Sequence, residues 1–112
     1  MKIIKDKISK KELEEMAKNM FGNLVKAVVD TQRGVMVVDG ELHSDEEGLL
    51  LKDCSSQKDL WGINIYLDVA DEDMIEFDSM INLRPSQNNL TRGVEDPTIQ
   101  RRIKEIVNRL VK

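Results

Sequence analysis

The first apolar positions of the chain are the pair Ile3-Ile4 between lysines, which predicts a short edge strand over residues 2–5. Ser9 and Glu12 then have capping-box spacing, and Ile8 is placed to staple onto Leu13. Leu13, Met16, Ala17, Met20 and Phe21 recur at i, i+3, i+4, i+7 and i+8, one apolar stripe on a helix that Gly22 ends. Leu24 to Asp30 is rich in β-branched residues, and Thr31-Gln32-Arg33-Gly34 reads as a hairpin loop. The unbroken run Val35-Met36-Val37-Val38 predicts a strand buried on both faces.

Ser44 and Glu47 repeat the capping-box spacing, with Asp45 and Glu46 in the first turn. They predict a short second helix carrying Leu49, Leu50 and Leu51 and ending near Asp53. Trp61, Ile63, Ile65 and Leu67 alternate, and so do Ile75, Phe77, Ile81 and Leu83. This predicts a long hairpin with a turn inside residues 68–74 and a second strand ending at Pro85. Its polar face would carry Asn64, Tyr66, Glu76, Asp78, Asn82 and Arg84. Residues 86–95 read as an irregular loop. Asp96 as N-cap and Pro97 at the first helical position open a last helix lined by Ile99, Ile103, Ile106, Val107 and Leu110. The order β-α-β-β-α-β-β-α implies one α+β domain over residues 1–112. A mostly antiparallel sheet of four to five strands would carry about three helices on one face, the other staying partly open.

Composition narrows the function classes. With 40% apolar and 34% charged residues in 112, the chain is neither a disordered tail nor a membrane protein. Only two consecutive apolar residues follow the first lysine, so export is not expected and cytoplasmic residence is. One cysteine, Cys54, and one histidine, His43, exclude an internal disulfide and a four-ligand thiolate zinc site. Cys54 and Trp61 read as core residues, and the methionines as gap-fillers. The net charge of −4 conceals an asymmetry: Asp39 to Asp78 holds thirteen acids and two bases, a local −11, against +7 elsewhere.

The blocks Val29-Asp30, Arg33-Gly34-Val35-Met36 and Asp39-Gly40-Glu41-Leu42-His43-Ser44-Asp45 resemble part of a small prokaryotic family of uncharacterised proteins, a domain of unknown function. Asp59-Leu60-Trp61-Gly62-Ile63-Asn64, Ile75-Glu76-Phe77, Met80 to Gln87 and Arg92-Gly93-Val94-Glu95-Asp96-Pro97 resemble the remainder. The resemblance spans roughly residues 24–110. It implies a compact α+β fold and no activity.

Two candidate chemistries and three functional readings follow from the residues. Asp39, Glu41 and His43 at the strand-to-helix junction could hold a divalent cation if strand spacing put them on one side, although Gly40 favours a bend there. Arg84 and Arg92 around an amide-rich loop, with Arg33 joining them, could bind a phosphate or carboxylate, or pair with nearby acids. The leading expectation is a non-enzymatic binding module. Its acidic-polar pocket for a cation or a basic protein partner would be formed by Asp39, Glu41, His43, Asn64, Glu76, Asp78, Asn82, Arg84 and Arg92. No resident cofactor beyond a divalent cation is expected. A metal-assisted hydrolase or nuclease using Asp39, Glu41 and His43 is the alternative. A nucleic-acid accessory role through the basic ends, Lys2, Lys5, Lys7, Lys10 and Lys11 with Arg101, Arg102, Lys104 and Arg109, ranks last at a pI near 5.0 and 4% aromatic content, unless those ends meet in space.

Overall fold

The computed structural model describes residues 1–112. Its elements are β1 (Lys2–Ile4), α1 (Lys10–Asn19), β2 (Leu24–Asp30), β3 (Val35–Val38), α2 (His43–Lys52), β4 (Leu60–Tyr66), β5 (Ile75–Glu76) and α3 (Pro97–Leu110). The strands form one sheet in the order β1-β3-β2-β4-β5, with every neighbouring pair antiparallel, so the fold is α+β.

Local chemistry explains most of the boundaries. Ser9 Oγ accepts the Glu12 amide at 3.1 Å and opens α1. Gly22, at φ 96°, closes it by donating to the Ala17 carbonyl at 2.6 Å. Only the front of the α1 stripe is covered: Leu13 and Ala17 are buried, whereas Met20 and Phe21 lie at the surface. The β2–β3 turn is tied by Asp30, whose Oδ1 accepts the amides of Gln32 and Arg33, each at 2.9 Å. Asp96 accepts the Thr98 amide at 2.8 Å and starts α3.

Strand alternation divides the core in two. Val25, Ala27, Val29, Met36, Val38, Trp61, Ile63 and Ile65 join Leu13 and Ala17 of α1 and Ile103, Ile106, Val107 and Leu110 of α3. Val28, Val35, Val37 and Leu60 pack on the other face with Leu50 of α2. The run Val35–Val38 is thus buried on both sides. The helices do not gather on one face as expected. Four apolar side chains on the second face need cover, and α2 supplies it, giving three layers. No helix is long and apolar enough to cross a membrane.

The hairpin also departs from expectation. Its second strand stops after Ile75 and Glu76, which pair with Ile65 and Asn64. Phe77 packs on the larger core and Ile81 on the smaller. Between them the chain rolls over the sheet border, so the apparent alternation across 75–83 joins residues from opposite sides. Short 3₁₀ turns at Met80–Asn82 and Pro85–Gln87 replace the strand. Asn82 and Arg84 therefore stand on no strand face. Asn82 Oδ1 accepts the Gly62 amide at 2.8 Å, and its Nδ2 donates to the Gly62 carbonyl at 3.0 Å. Arg84 Nη2 donates to the Leu60 carbonyl. One buried side-chain amide satisfies Gly62 as a neighbouring strand would. Asn89 performs a similar task within the following loop, donating to the carbonyls of Asn82 at 2.7 Å and Gly93 at 2.8 Å.

Candidate functional site

Gly62, in the interior of β4, opens the space in which a site can form. A Cβ there would lie 2.5 Å from Ser79 Cβ and 3.2 Å from His43 Cγ, so the missing side chain admits both. The N-cap of α2 is Leu42 rather than Ser44, and it provides no side-chain bond to the helix amides. The expected Ser44–Glu47 capping box does not form, because the helix begins two residues earlier. His43 then lies in the first turn with its ring inside the protein. Its Nε2 is 2.7 Å from the Ile63 carbonyl, which requires the proton on Nε2. Burial holds the imidazole below its ordinary pKa. Lys26 and Arg92 push the same way, while the Ile63 carbonyl and Asp78 oppose them. Neutral His43 therefore leaves Nδ1 as an acceptor with no hydrogen-bond partner.

His43 lines a cavity of about 160 Å³ together with Lys26, Ser44, Ser79 and Arg92, and with Leu42, Met80 and Ile81 as its apolar wall. Arg92 donates through Nε to Asp78 Oδ1 at 2.8 Å, leaving both Nη groups unengaged. Lys26 Nζ lies 5.0 Å from the Phe21 ring and pairs with no carboxylate. The start of α2, which has no side-chain cap, borders the same cavity through Leu42, His43 and Ser44. Two cations, two hydroxyls and the positive end of a helix are the groups that favour negative charge in this cavity. A larger hollow of about 370 Å³ lies between Trp61 and the residue 87–89 loop, but its Asn89 is consumed by the loop's own hydrogen bonds.

The residues singled out by sequence divide into three groups. His43 and Arg92 line the cavity, and Asp78 and Asn82 hold Arg92, the latter through its carbonyl at 2.9 Å. Asn64 and Glu76 form an adjoining polar strip. Asn64 Nδ2 and Tyr66 Oη both donate to Glu76 Oε1, at 2.9 and 3.2 Å, and Asn64 Oδ1 is buried without a partner. Burial raises the Tyr66 phenol, and the Glu76 carboxylate adds to that shift.

Arg84, Asp39 and Glu41 do not join the site. Arg84 turns inward over the Trp61 ring at 4.6 Å, donates to the Ile81 carbonyl at 3.0 Å and faces Glu47 at 3.6 Å. Asp39 takes a left-handed φ of 68°, which breaks strand spacing before α2, and Glu41 points to solvent. No three His, Cys, Asp or Glu side chains converge where they could hold a metal ion, so Asp39, Glu41 and His43 are not a cation set. Arg33 is likewise elsewhere, bound to Asp53 at 2.7 Å, and Cys54 is exposed rather than core. Met80 is an exposed wall rather than a gap-filler. Sequence reasoning missed Lys26, Ser79 and Leu42. A lone lysine inside the apolar strand Leu24–Val29 was the available signal for the first.

The basic ends do meet, since the Ile8 amide donates to the Leu110 carbonyl at 2.8 Å and the Lys112 amide to the Ile8 carbonyl at 3.0 Å. Some of these side chains are engaged. Lys2, Lys5 and Lys10 pair with Glu12, Asp53 and Asp71, while Arg102 and Arg109 bind the carbonyls of Thr31 and Gly34. Comparison with known proteins adds a family and no activity. Residues 2–110 match the model of a family described as a protein of unknown function (DUF5674). No curated protein and no solved structure matches the chain.

Proposed function

The chain belongs to this family, and from its geometry we propose that it is a non-enzymatic binding module whose ligand presents a small oxyanion, a carboxylate or a phosphate, to the cavity beside His43. One observation carries the reading: Lys26 and Arg92, whose Nη groups are free, line one cavity at the uncapped start of α2. The acids that suggested a cation are already engaged, Asp78 with Arg92 and Glu76 with Asn64 and Tyr66. A hydrolytic role through Asp39, Glu41 and His43 lacks its convergent ligand set.

Leu42→Ser tests this in one substitution. A serine at the N-cap satisfies a first-turn amide and should stabilise the fold by about 0.5–1 kcal/mol. It competes with the ligand for the same donors. Titration with inorganic phosphate and acetate, followed by amide shifts, should perturb residues 43, 44, 79 and 92 in the wild type. It should show several-fold weaker binding in Leu42→Ser. Shifts scattered over the surface, or none at millimolar anion, defeat the reading.

A further inference from the structure

We infer that the cavity beside His43 receives the free C-terminal end of another polypeptide whose last residue is apolar. The inference rests on the oxyanion reading and narrows its ligand. His43 is the discriminating group. Its residue is only 9% exposed, it lines the cavity, and its Nε2 is spent on the Ile63 carbonyl. Nδ1 therefore offers a lone pair and no proton. A carboxylate alone satisfies the cations but leaves this lone pair without a donor. A ligand with an N–H next to its anionic head makes a hydrogen bond there instead.

The end of a peptide has that combination. The amide nitrogen of its last residue is separated from the carboxylate carbon by a single Cα, so both groups fit one small cavity. The carboxylate meets the Arg92 fork, Lys26 and the α2 amides, and a planar guanidinium suits two carboxylate oxygens. The third component is apolar. Leu42 and Met80, at 53% and 62% exposed, stand uncovered at this cavity, and Ile81 lies beside them. A terminal aliphatic side chain covers them, and a phosphate leaves them in water. The cavity volume of about 160 Å³ confines recognition to about one residue.

The test uses the full chain and three probes: N-acetyl-Gly-Ser-Leu with a free carboxylate, the same peptide as its C-terminal amide, and inorganic phosphate. The free acid should shift the amides of Ser44, Ser79 and Arg92 and move the His43 Nδ1 resonance. The amidated peptide should bind at least tenfold more weakly. Arg92→Gln alters only a surface side chain, so the variant should stay folded and lose the acid peptide about fivefold or more. If phosphate binds at the cavity while acid and amide peptides bind alike or not at all, this inference falls and the oxyanion reading stands. If no probe perturbs the cavity, both fall.

Discussion

At position 46 a carboxyl is closed into the α2 layer, with Oε2 accepting the Gly40 amide at 3.0 Å and Oε1 accepting nothing. A Cβ at position 40 would lie 2.5 Å from Glu46 Cγ, so glycine is what lets the side chain cross this backbone. Burial pushes the Glu46 carboxyl up to about 9, against the smaller opposing pulls of the Gly40 amide, Lys26 and the N-terminal amine, while Asp39 raises it further. In the unfolded chain the group ionises at an ordinary glutamate value. Between those two values the unfolded state has lost a proton that the folded state keeps. The stability is thus fully present below the unfolded value and declines as pH rises toward the folded one. Glu46→Gln removes this slope and, at pH 7, should raise stability by about 1–3 kcal/mol. Urea unfolding of both proteins at pH 5 and pH 8 measures it. Equal pH dependence in the two would show that Glu46 is ionised in the fold.

Among elements, the border of β4 depends most on one residue. Asn82→Ala would leave the Gly62 amide and carbonyl and the Arg92 carbonyl without their partner. Stranding buried polar groups should cost about 2–4 kcal/mol, together with much faster amide exchange at Gly62. Exchange unchanged from wild type would mean that a water replaces the side chain. The same region shows where sequence is legible. Helix α1 was readable because Ser9 and Gly22 act on their own neighbours, although the Glu12 carboxylate pairs with Lys2 rather than with the Ser9 amide. Strands β2 and β3 were readable because their β-branched runs match their boundaries. Three features were not: the roll of the chain between Phe77 and Ile81, the inward turn of Arg84, and the docking of His43 over Gly62. Each depends on which face of the sheet a distant segment reaches, and local period carries no information about that. The cavity was half visible for this reason. His43 and Arg92 could be named, but Lys26 and Ser79 reach it only through tertiary packing.

For the molecule as a whole, the two core layers are unequal. Eighteen buried residues lie on the α1–α3 side and five on the α2 side. Free energy of opening follows buried apolar contact, so native-state hydrogen exchange should show α2 opening sub-globally at lower free energy than α3 and β2. A single exchange threshold for all three would mean that the layers unfold together. The candidate site belongs to the thinner layer, where binding can add order. The side-chain closure of β4 has a different outcome. Outer strands of three and two residues, β1 and β5, flank the sheet, and residues 60–62 present no open row of amides on their outer side. Copies of the molecule meeting in a crowded solution have almost no template on which to extend one another's sheet, so the fold resists fibril growth at its own borders.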